Sequence, residues 1–225
     1  MQNNSLWSDA LRRLLANRAA MISAVILTLL ILSAIFAPFI ATHSYAYQNL
    51  SLGATAPSAE HFLGTDTLGR DLFSRILYGA RVSLMVGFVA TFVALIIGVT
   101  WGIIAGYYGG RIDSIMMRIV DILYGLPFVI FIILLMVIFG RNIWLLFAAI
   151  GAVEWLTMAR IVRAQVITIK GLEYVQAAQA LGVPNNRLFI KHIFPNILGP
   201  IAVYATLTIP QVMLLEAFLS FLGLG

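Results

Sequence analysis

Long blocks without a charged residue are the feature that most constrains this chain. Residues 21–40 contain no Asp, Glu, Lys or Arg, and this length matches the ~20 residues that a helix needs to cross a hydrocarbon core of ~30 Å. Of the 225 residues, 61% are hydrophobic and only 10% are charged, far below the ~25% charged residues of a soluble domain. The sequence therefore predicts an all-α, polytopic membrane protein.

Five such blocks are predicted to span the membrane within one helical domain. They are Met21–Ile40, Val82–Tyr108, about Ile115 to Phe139, Asn142 to about Val166, and Leu198 to about Phe221. Residues 1–20 are predicted to form an amphipathic helix among the lipid headgroups, because leucines recur there at helical spacing beside Trp7 and three arginines. Residues 41–81 are a polar segment, and residues 82–225 are the predicted transmembrane core. This core contains a second polar segment, residues 171–197, which we call the elbow.

The placement of Lys and Arg predicts the orientation. Of the 14 basic residues, ten lie on the side of the N terminus and the elbow and four on the other side, and basic residues are concentrated in cytoplasmic loops. The ten are Arg12, Arg13, Arg18, Arg111, Arg118, Arg160, Arg163, Lys170, Arg187 and Lys191. We therefore expect the N terminus, residues 1–20 and the elbow in the cytoplasm and residues 41–81 in the periplasm. An odd number of spans would leave Gly225 outside, and we expect a further span beyond it.

Small residues recur every four positions along the second span and form one stripe of its surface. The stripe is Ala90, Ala94, Gly98, Gly102, Gly106 and Gly110. A stripe of this kind allows another helix to approach at backbone distance, so we expect helix packing there. Gly125 and Pro127 in the third span, and Pro200 and Pro210 in the fifth, are predicted to bend their helices or to leave local carbonyls free.

Few charges lie at membrane depth. Glu154 falls near the middle of the fourth span, where a carboxylate is costly and is by default a functional candidate. Glu216 lies nearer the outer end of the fifth span. Both are candidates for a translocation pathway, and the alternative for each is a hydrogen-bonded carboxyl between helices or at the interface. Arg118 and Asp121, three residues apart, are predicted to form a local ion pair.

Motifs for catalysis, cofactors and metals are not supported by the sequence. The run GTDTLGRD from Gly64 begins like a phosphate loop but has Arg70 and Asp71 where Lys and a hydroxyl residue are required. The three histidines, His43, His61 and His192, lack zinc-protease spacing, and there is no cysteine. The basic residues flank apolar blocks, which argues against nucleic acid. We predict no enzyme activity and no catalytic, cofactor or metal residues in this chain.

The elbow has the pattern of short helices outside the membrane. A fourth helix continued from Asn142 to Lys170 would be ~43 Å long, so its end would project into the cytoplasm. A short helix is predicted from Glu173 to Leu181, closed by Gly182 in a left-handed turn, and a second from about Asn186 to Ile193. The elbow is too short to hold a core and suits docking into a groove of a cytoplasmic partner. An amphipathic loop on the membrane surface is the alternative.

The elbow resembles the signature of the permease subunits of binding-protein-dependent ABC importers, which is E-A-A, three residues, G, nine residues, I-x-L-P. The corresponding residues are Gln176, Ala177, Ala178, Gly182, His192, Ile193, Phe194 and Pro195. Gln176, His192 and Phe194 depart from the signature. Further runs resemble the peptide-transport branch of the family, closest to the C type of inner-membrane subunit in the oligopeptide permeases. They include GTDTLGRDLFSR, YGARVSLMVG, GGRIDSIMMRIVDIL, MARIVRAQ and EAFLSFLGLG.

This resemblance implies a six-span permease of the bacterial inner membrane, of which five spans lie in this sequence. It implies a second, homologous permease, two cytoplasmic ATP-binding subunits that hold ATP and magnesium, and a periplasmic peptide-binding protein, all beside membrane lipid. The elbow would be the coupling helix that docks into an ATP-binding subunit. The residues assigned to this docking are Glu173, Gln176, Ala177, Ala178, Gly182, His192, Pro195 and Asn196.

Two other functions stay open at the level of sequence. The same architecture would also serve an importer of dipeptides, glutathione or nickel. A passive channel or a membrane scaffold is the alternative of a different class, and the lack of a continuous polar stripe along any span argues against it.

Overall fold

The computed structural model describes residues 12–140 and 142–223. In these residues the chain forms helices joined by turns, with one isolated bridge between Thr65 and Asp71 and no strand. The helices are α1 (Arg18–Ile35), α2 (Ala37–Ile40), α3 (Leu72–Tyr108), α4 (Gly110–Tyr124), α5 (Phe128–Phe139), α6 (Ile143–Lys170), α7 (Glu173–Ala180), α8 (Asn185–Leu188) and α9 (Phe194–Phe221). A π-helical turn, Phe189–Ile193, joins α8 to α9.

Four of the helices described are long and apolar enough to cross a membrane: α1, α3, α6 and the stretch from Asn185 to Phe221. The pair α4 and α5, bent by 74° at the break between them, makes a fifth if it is counted as one span. The prediction of an all-α, polytopic membrane protein is confirmed.

The third predicted span is not one straight helix. Tyr124 ends α4, Phe128 begins α5, and Gly125 and Pro127 lie in the break. Proline has no N–H to continue the ladder, and it disfavours helical geometry in the residue before it. In α9, by contrast, Pro200 and Pro210 lie inside one continuous helix.

The chain divides into two compact units, Met1–Leu84 and Met85–Gly225. In the first unit, residues 12–16 are helical, and Asn17 then caps α1 through its side chain, which accepts a hydrogen bond from the Ala20 N–H at 3.2 Å. This cap interrupts the helix predicted over residues 1–20, of which residues 1–11 lie outside the described residues. Most side chains of α1 are exposed, as suits a helix surrounded by lipid.

The polar segment between α2 and α3 is shorter than predicted. We expected it to extend to Arg81, but α3 begins at Leu72. At ~1.5 Å per residue, the 37 residues of α3 span ~55 Å, well beyond a hydrocarbon core of ~30 Å. The first turns of α3 therefore extend beyond the hydrocarbon core. Hydropathy alone assigned these residues to the polar segment, although they are helical.

One carboxylate organises the end of this polar segment. Asp66 Oδ1 accepts hydrogen bonds from the backbone N–H groups of Leu68 and Arg70, and Oδ2 accepts from the side chains of Arg70 and Arg75, each at 2.7 Å. Loss of solvation opposes ionisation, but the hydrogen bonds from Arg70 and Leu68 outweigh it and lower the pKa of Asp66 to about 2. Residues 64–71, which begin like a phosphate loop, thus form a turn that is held together by hydrogen bonds to Asp66.

In the second unit, the glycine stripe of α3 lies against α6. A Cβ added at Gly102 would lie 2.6 Å from the Ala159 carbonyl oxygen, and one at Gly98 would lie 2.6 Å from Met158 Cβ. Gly106 meets α6 in the same way, at Arg163 and Val166. The backbones therefore pack in direct contact, as small residues permit. Ala90 and Ala94 are fully buried on the same stripe.

Gly110 departs from the predicted stripe. A Cβ at this position would meet no atom within 4 Å, and its φ is +54°. Gly109 has a φ of +65°, so the two glycines form the turn between α3 and α4. Gly110 keeps the four-residue spacing of the stripe, but it does not lie on the packed face of α3, because α3 ends at Tyr108.

Candidate functional site

The elbow is built around a left-handed glycine. The Gly182 φ is +76°, and its N–H donates to the Gln179 carbonyl at 3.0 Å while the Val183 N–H donates to the Ala178 carbonyl at 3.2 Å. These two bonds form a Schellman motif, which ends α7. Pro184 then starts α8 as its N-cap. The predicted left-handed closure at Gly182 is what the structure has.

A buried cluster lies under the elbow. Val175, Leu188 and Ile193 are fully buried or nearly so, and they pack with Val162 and Val166 of α6 in one cluster. The elbow holds no separate core, as expected; its buried apolar residues instead extend the core of the membrane helices. Val175 and Leu188 come from separate helices 13 positions apart, so no single helical period indicated their contact.

The other face of α7 is exposed. Glu173, Gln176 and Ala177 are exposed, whereas Ala178 is half-buried against the core cluster. Leu181, the C-cap residue of α7, is 85% exposed. It adds an apolar side chain at the end of this exposed face. We call this set, Glu173, Gln176, Ala177 and Leu181, the elbow face.

Two of the other predicted elbow residues make contacts within the elbow. The Asn196 amide donates to the His192 carbonyl at 2.7 Å and to the Tyr174 hydroxyl at 3.2 Å. The rings of Tyr174 and His192 lie 6.1 Å apart. This cluster holds the start of α9 to α7. Pro195 is exposed near the start of α9.

The elbow is also tied to the end of α3. The Tyr107 hydroxyl donates to the Asn185 carbonyl at 3.3 Å, and Lys170 Nζ donates to the Tyr107 carbonyl at 2.7 Å. The Tyr107 ring packs edge-on against Phe189, with centroids 5.9 Å apart. Tyr107 thus contacts both ends of the segment, including α7, that connects α6 to α8. Sequence reasoning missed it, because a tyrosine at the end of an apolar run reads as an interfacial aromatic.

Basic residues of α6 pair with α4. The Arg163 guanidinium makes a bidentate pair with Asp113, and Arg160 Nη2 lies 2.7 Å from Asp121 Oδ1. The Arg160 guanidinium also lies over the Tyr124 ring. The predicted local pair of Arg118 with Asp121 is therefore wrong. Asp121 instead meets a cation 39 positions later, from a neighbouring helix, where two rigid elements hold the charges together.

The two candidate pathway carboxyls lie in different surroundings. Glu154 is half-buried and lines a cavity of about 270 Å³ together with Tyr124, Thr157 and Gln211. Glu216 is only 6% exposed, and one of its oxygens accepts a hydrogen bond from the Ser220 hydroxyl at 2.7 Å. The cavity beside Glu154 is lined by both polar and apolar side chains, whereas Glu216 is almost fully buried.

Comparison with known proteins gives a consistent result. Residues 98–225 match the family described as binding-protein-dependent transport system inner membrane component. Residues 5–57 match the N-terminal TM domain of oligopeptide transport permease C.

Curated relatives match along the whole chain. The oligopeptide transport system permease protein OppC of Haemophilus influenzae is 47% identical over 227 residues, covering 100% of this chain and 73% of that protein. Its counterpart in Escherichia coli is 48% identical and covers 100% of this chain and 75% of that protein. The dipeptide transport system permease protein DppC of Bacillus subtilis is 48% identical, covering 98% and 69%.

A helical membrane bundle with an elbow seated on its core defines a multi-pass permease subunit of the inner membrane. The chain belongs to the family of binding-protein-dependent transport system inner membrane components. The resemblance seen in the elbow signature is confirmed at the level of the family.

Proposed function

We propose that this chain is the permease subunit through which an ATP-driven importer moves oligopeptides across the inner membrane. The cargo is supported by the oligopeptide permease names of relatives that are 47% and 48% identical. The N terminus and the elbow face the cytoplasm. The partners are a homologous second permease, a periplasmic peptide-binding protein and two cytoplasmic subunits that bind and hydrolyse ATP with magnesium. We infer no catalytic residue in this chain and no site for ATP or magnesium.

The elbow face is the site at which ATP hydrolysis is coupled to transport. The observation that carries this proposal is the exposed face of α7, with Leu181 at its end, on a helix whose opposite side is locked into the core of α6. A partner shifts a conformational equilibrium only by binding one state better than the other. A docked ATP-binding subunit would bias the bundle through Val175 and Leu188, because these residues pack directly on α6.

The residues of the elbow then divide between two roles. Glu173, Gln176, Ala177 and Leu181 contact the ATP-binding subunit, and Gly182, Pro195, His192 and Asn196 shape the elbow. Ala178, through its half-buried side chain, joins the two groups. Glu154 and Glu216 remain candidates for the translocation pathway, and the cavity beside Glu154 makes it the stronger of the two.

Site-specific crosslinking tests this assignment, and the absence of cysteine from the sequence provides a clean background. In the assembled transporter, Ala177→Cys should crosslink to an ATP-binding subunit, with a yield that changes when nucleotide is added. Ser114→Cys, at a residue of α4 that is also exposed, is the matched control and should crosslink less. An Ala177→Cys chain that stays open to thiol reagents but never crosslinks would contradict the docking role and favour a channel or scaffold.

Dipeptides are the second candidate cargo. The dipeptide transport system permease protein DppC of Bacillus subtilis is as similar to this chain, at 48% identity, as the oligopeptide permeases. A glutathione transport system permease protein of Pectobacterium atrosepticum is less similar, at 36%. Growth of an auxotroph on defined peptides of two to six residues distinguishes these cargoes. Growth on dipeptides alone would replace the oligopeptide proposal.

A further inference from the structure

Two histidines and a glutamate meet in the polar segment of residues 41–71, which we call the loop segment. His43, Glu60 and His61 each offer a ligating atom, and these three atoms lie within 4.8 Å of one another. The rings of His43 and His61 are in contact, with centroids 4.5 Å apart and planes inclined by 31°. The three residues line a cavity of about 290 Å³. This cluster belongs to neither the elbow nor the pathway candidates.

Both imidazoles are held by a second set of contacts. His61 Nδ1 lies 3.0 Å from Asp71 Oδ1, and Asp71, which is 2% exposed, also accepts the Ser74 N–H at 2.8 Å. His43 Nδ1 lies 3.1 Å from Thr42 Oγ1. With Nδ1 engaged in each ring, Nε2 is the nitrogen left for a ligand. Histidines that bind metals are oriented in this way, by a carboxylate or another acceptor on the second nitrogen.

The backbone around the cluster adds to this order. The His43 N–H donates to the Ser74 hydroxyl at 3.1 Å, so one serine contacts both His43 and, through its own N–H, the carboxylate behind His61. Ser74 is fully buried. Ser74 therefore supports the backbone of His43 and the carboxylate that contacts the His61 ring, whereas Glu60 is exposed.

The donor set selects a chemical class. Two imidazole nitrogens and one carboxylate suit divalent transition metals, whereas Mg²⁺ and Ca²⁺ prefer all-oxygen sites. Zinc–nitrogen bonds of ~2.0–2.1 Å place tetrahedral ligands ~3.3 Å apart, so the three ligating atoms, which lie within 4.8 Å of one another, must approach by up to ~1.5 Å when an ion binds. Three protein ligands leave a fourth position for water.

We propose that His43, Glu60 and His61 bind a divalent transition-metal ion of the zinc type, which fastens the loop segment. This segment has turns and one isolated bridge but no helix or strand between residues 42 and 71. The sequence has no cysteine, so no disulfide within the loop segment can stabilise it. A metal that binds only the folded segment stabilises it by mass action. The site does not depend on the proposed transport role.

Metal binding to the purified permease complex, made with a tag that contains no histidine, tests the proposal. After chelator treatment, equilibrium dialysis against Zn²⁺ should load one ion per copy of this chain at the cluster, with Ni²⁺ competing and Mg²⁺ and Ca²⁺ not competing. Glu60→Gln, an exposed and conservative change, should weaken Zn²⁺ binding by at least ~10-fold. His192→Ala, which removes the histidine of the elbow, should leave the zinc stoichiometry unchanged.

A second variant and a spectroscopic measurement keep the test independent of misfolding. Asp71→Asn should weaken Zn²⁺ binding by ~10–100-fold, as loss of an outer carboxylate does at known sites, and X-ray absorption at the zinc edge should show two imidazole ligands. Absence of Zn²⁺ from the dialysed wild-type complex would overturn the proposal. So would a stoichiometry that is the same in the wild type and in the His43→Ala, Glu60→Gln, His61→Ala triple variant.

Discussion

Gly182→Val should uncouple ATP hydrolysis from transport. The Gly182 φ is +76°, and a Cβ there would meet no atom within 4 Å, so the substitution acts through the backbone and not through a clash. A residue with a Cβ in the left-handed region costs ~1–2 kcal/mol, and a β-branched residue is disfavoured there more than most. The two Schellman hydrogen bonds that Gly182 closes contribute ~0.5–1.5 kcal/mol each. The strain of a left-handed valine is thus similar to the free energy that the two hydrogen bonds contribute. The turn should therefore open in a large fraction of molecules.

The assay is uptake and ATP hydrolysis by the complete complex in proteoliposomes. Peptide transported per ATP hydrolysed should fall by ~5–30-fold, the factor that 1–2 kcal/mol gives in a conformational equilibrium. The amount of inserted chain should stay the same, because the residues of the core cluster are untouched.

Gly182→Asn is the matched control. Asparagine tolerates the left-handed region, so this variant should retain most of the coupling although its side chain is of similar size. Normal peptide uptake by Gly182→Val would refute the reasoning. Equal failure of Gly182→Asn and Gly182→Val would show that space at the docking surface, and not φ, sets the requirement.

Three further outcomes follow from the packing, the ion pairs and the polar segment. Gly102→Ala should destabilise the bundle by ~1–3 kcal/mol, since its Cβ would lie 2.6 Å from a carbonyl of α6; thermal unfolding in detergent measures this, and Gly79→Ala, where a Cβ meets open space, should not lower stability. Arg163→Met should cost ~1–3 kcal/mol by leaving Asp113 without its partner, and an additional Asp113→Leu change should recover part of this stability; no recovery would contradict a direct pair. The pKa of Asp66 is lowered to about 2, so its ionised form stabilises the turn above pH ~4, and this contribution is lost as the pH falls through ~2. Pepsin cleavage within residues 64–71 should therefore accelerate over that pH range in the wild type relative to Asp66→Asn. Cleavage rates that change in parallel in the two proteins would contradict this role of Asp66.

The class of fold was predictable because it depends on short-range composition. Charge-free blocks of bilayer length identify membrane helices wherever they pack, and the family signature in the elbow needs only local spacing. The closure of α7 at Gly182 was also predictable, since glycine followed by proline permits few other conformations.

Contacts between distant elements were not predictable from one sequence. Asp121 had Arg118 within helical reach, but the fold supplies Arg160 from another helix. Val175 lies in the short helix predicted from Glu173 to Leu181, yet it is fully buried, because Leu188 and residues of α6, all distant in sequence, pack in the same cluster. His43 and His61 are 18 positions apart in a segment without regular structure, so no motif spacing could indicate that their rings are in contact.

The junction between α6 and the elbow has a mechanical consequence. Gly171 is right-handed helical and its N–H donates back to the Ile167 carbonyl at 3.1 Å, and Ile169 and Val175 on either side share one buried cluster. The connection between α6 and α7 is therefore rigid, and a displacement of α7 is transmitted to α6. With 28 residues, α6 is a rod of ~42 Å. If α6 turns about its close contact with the glycines of α3, a displacement at the elbow end will appear with opposite sign at the far end.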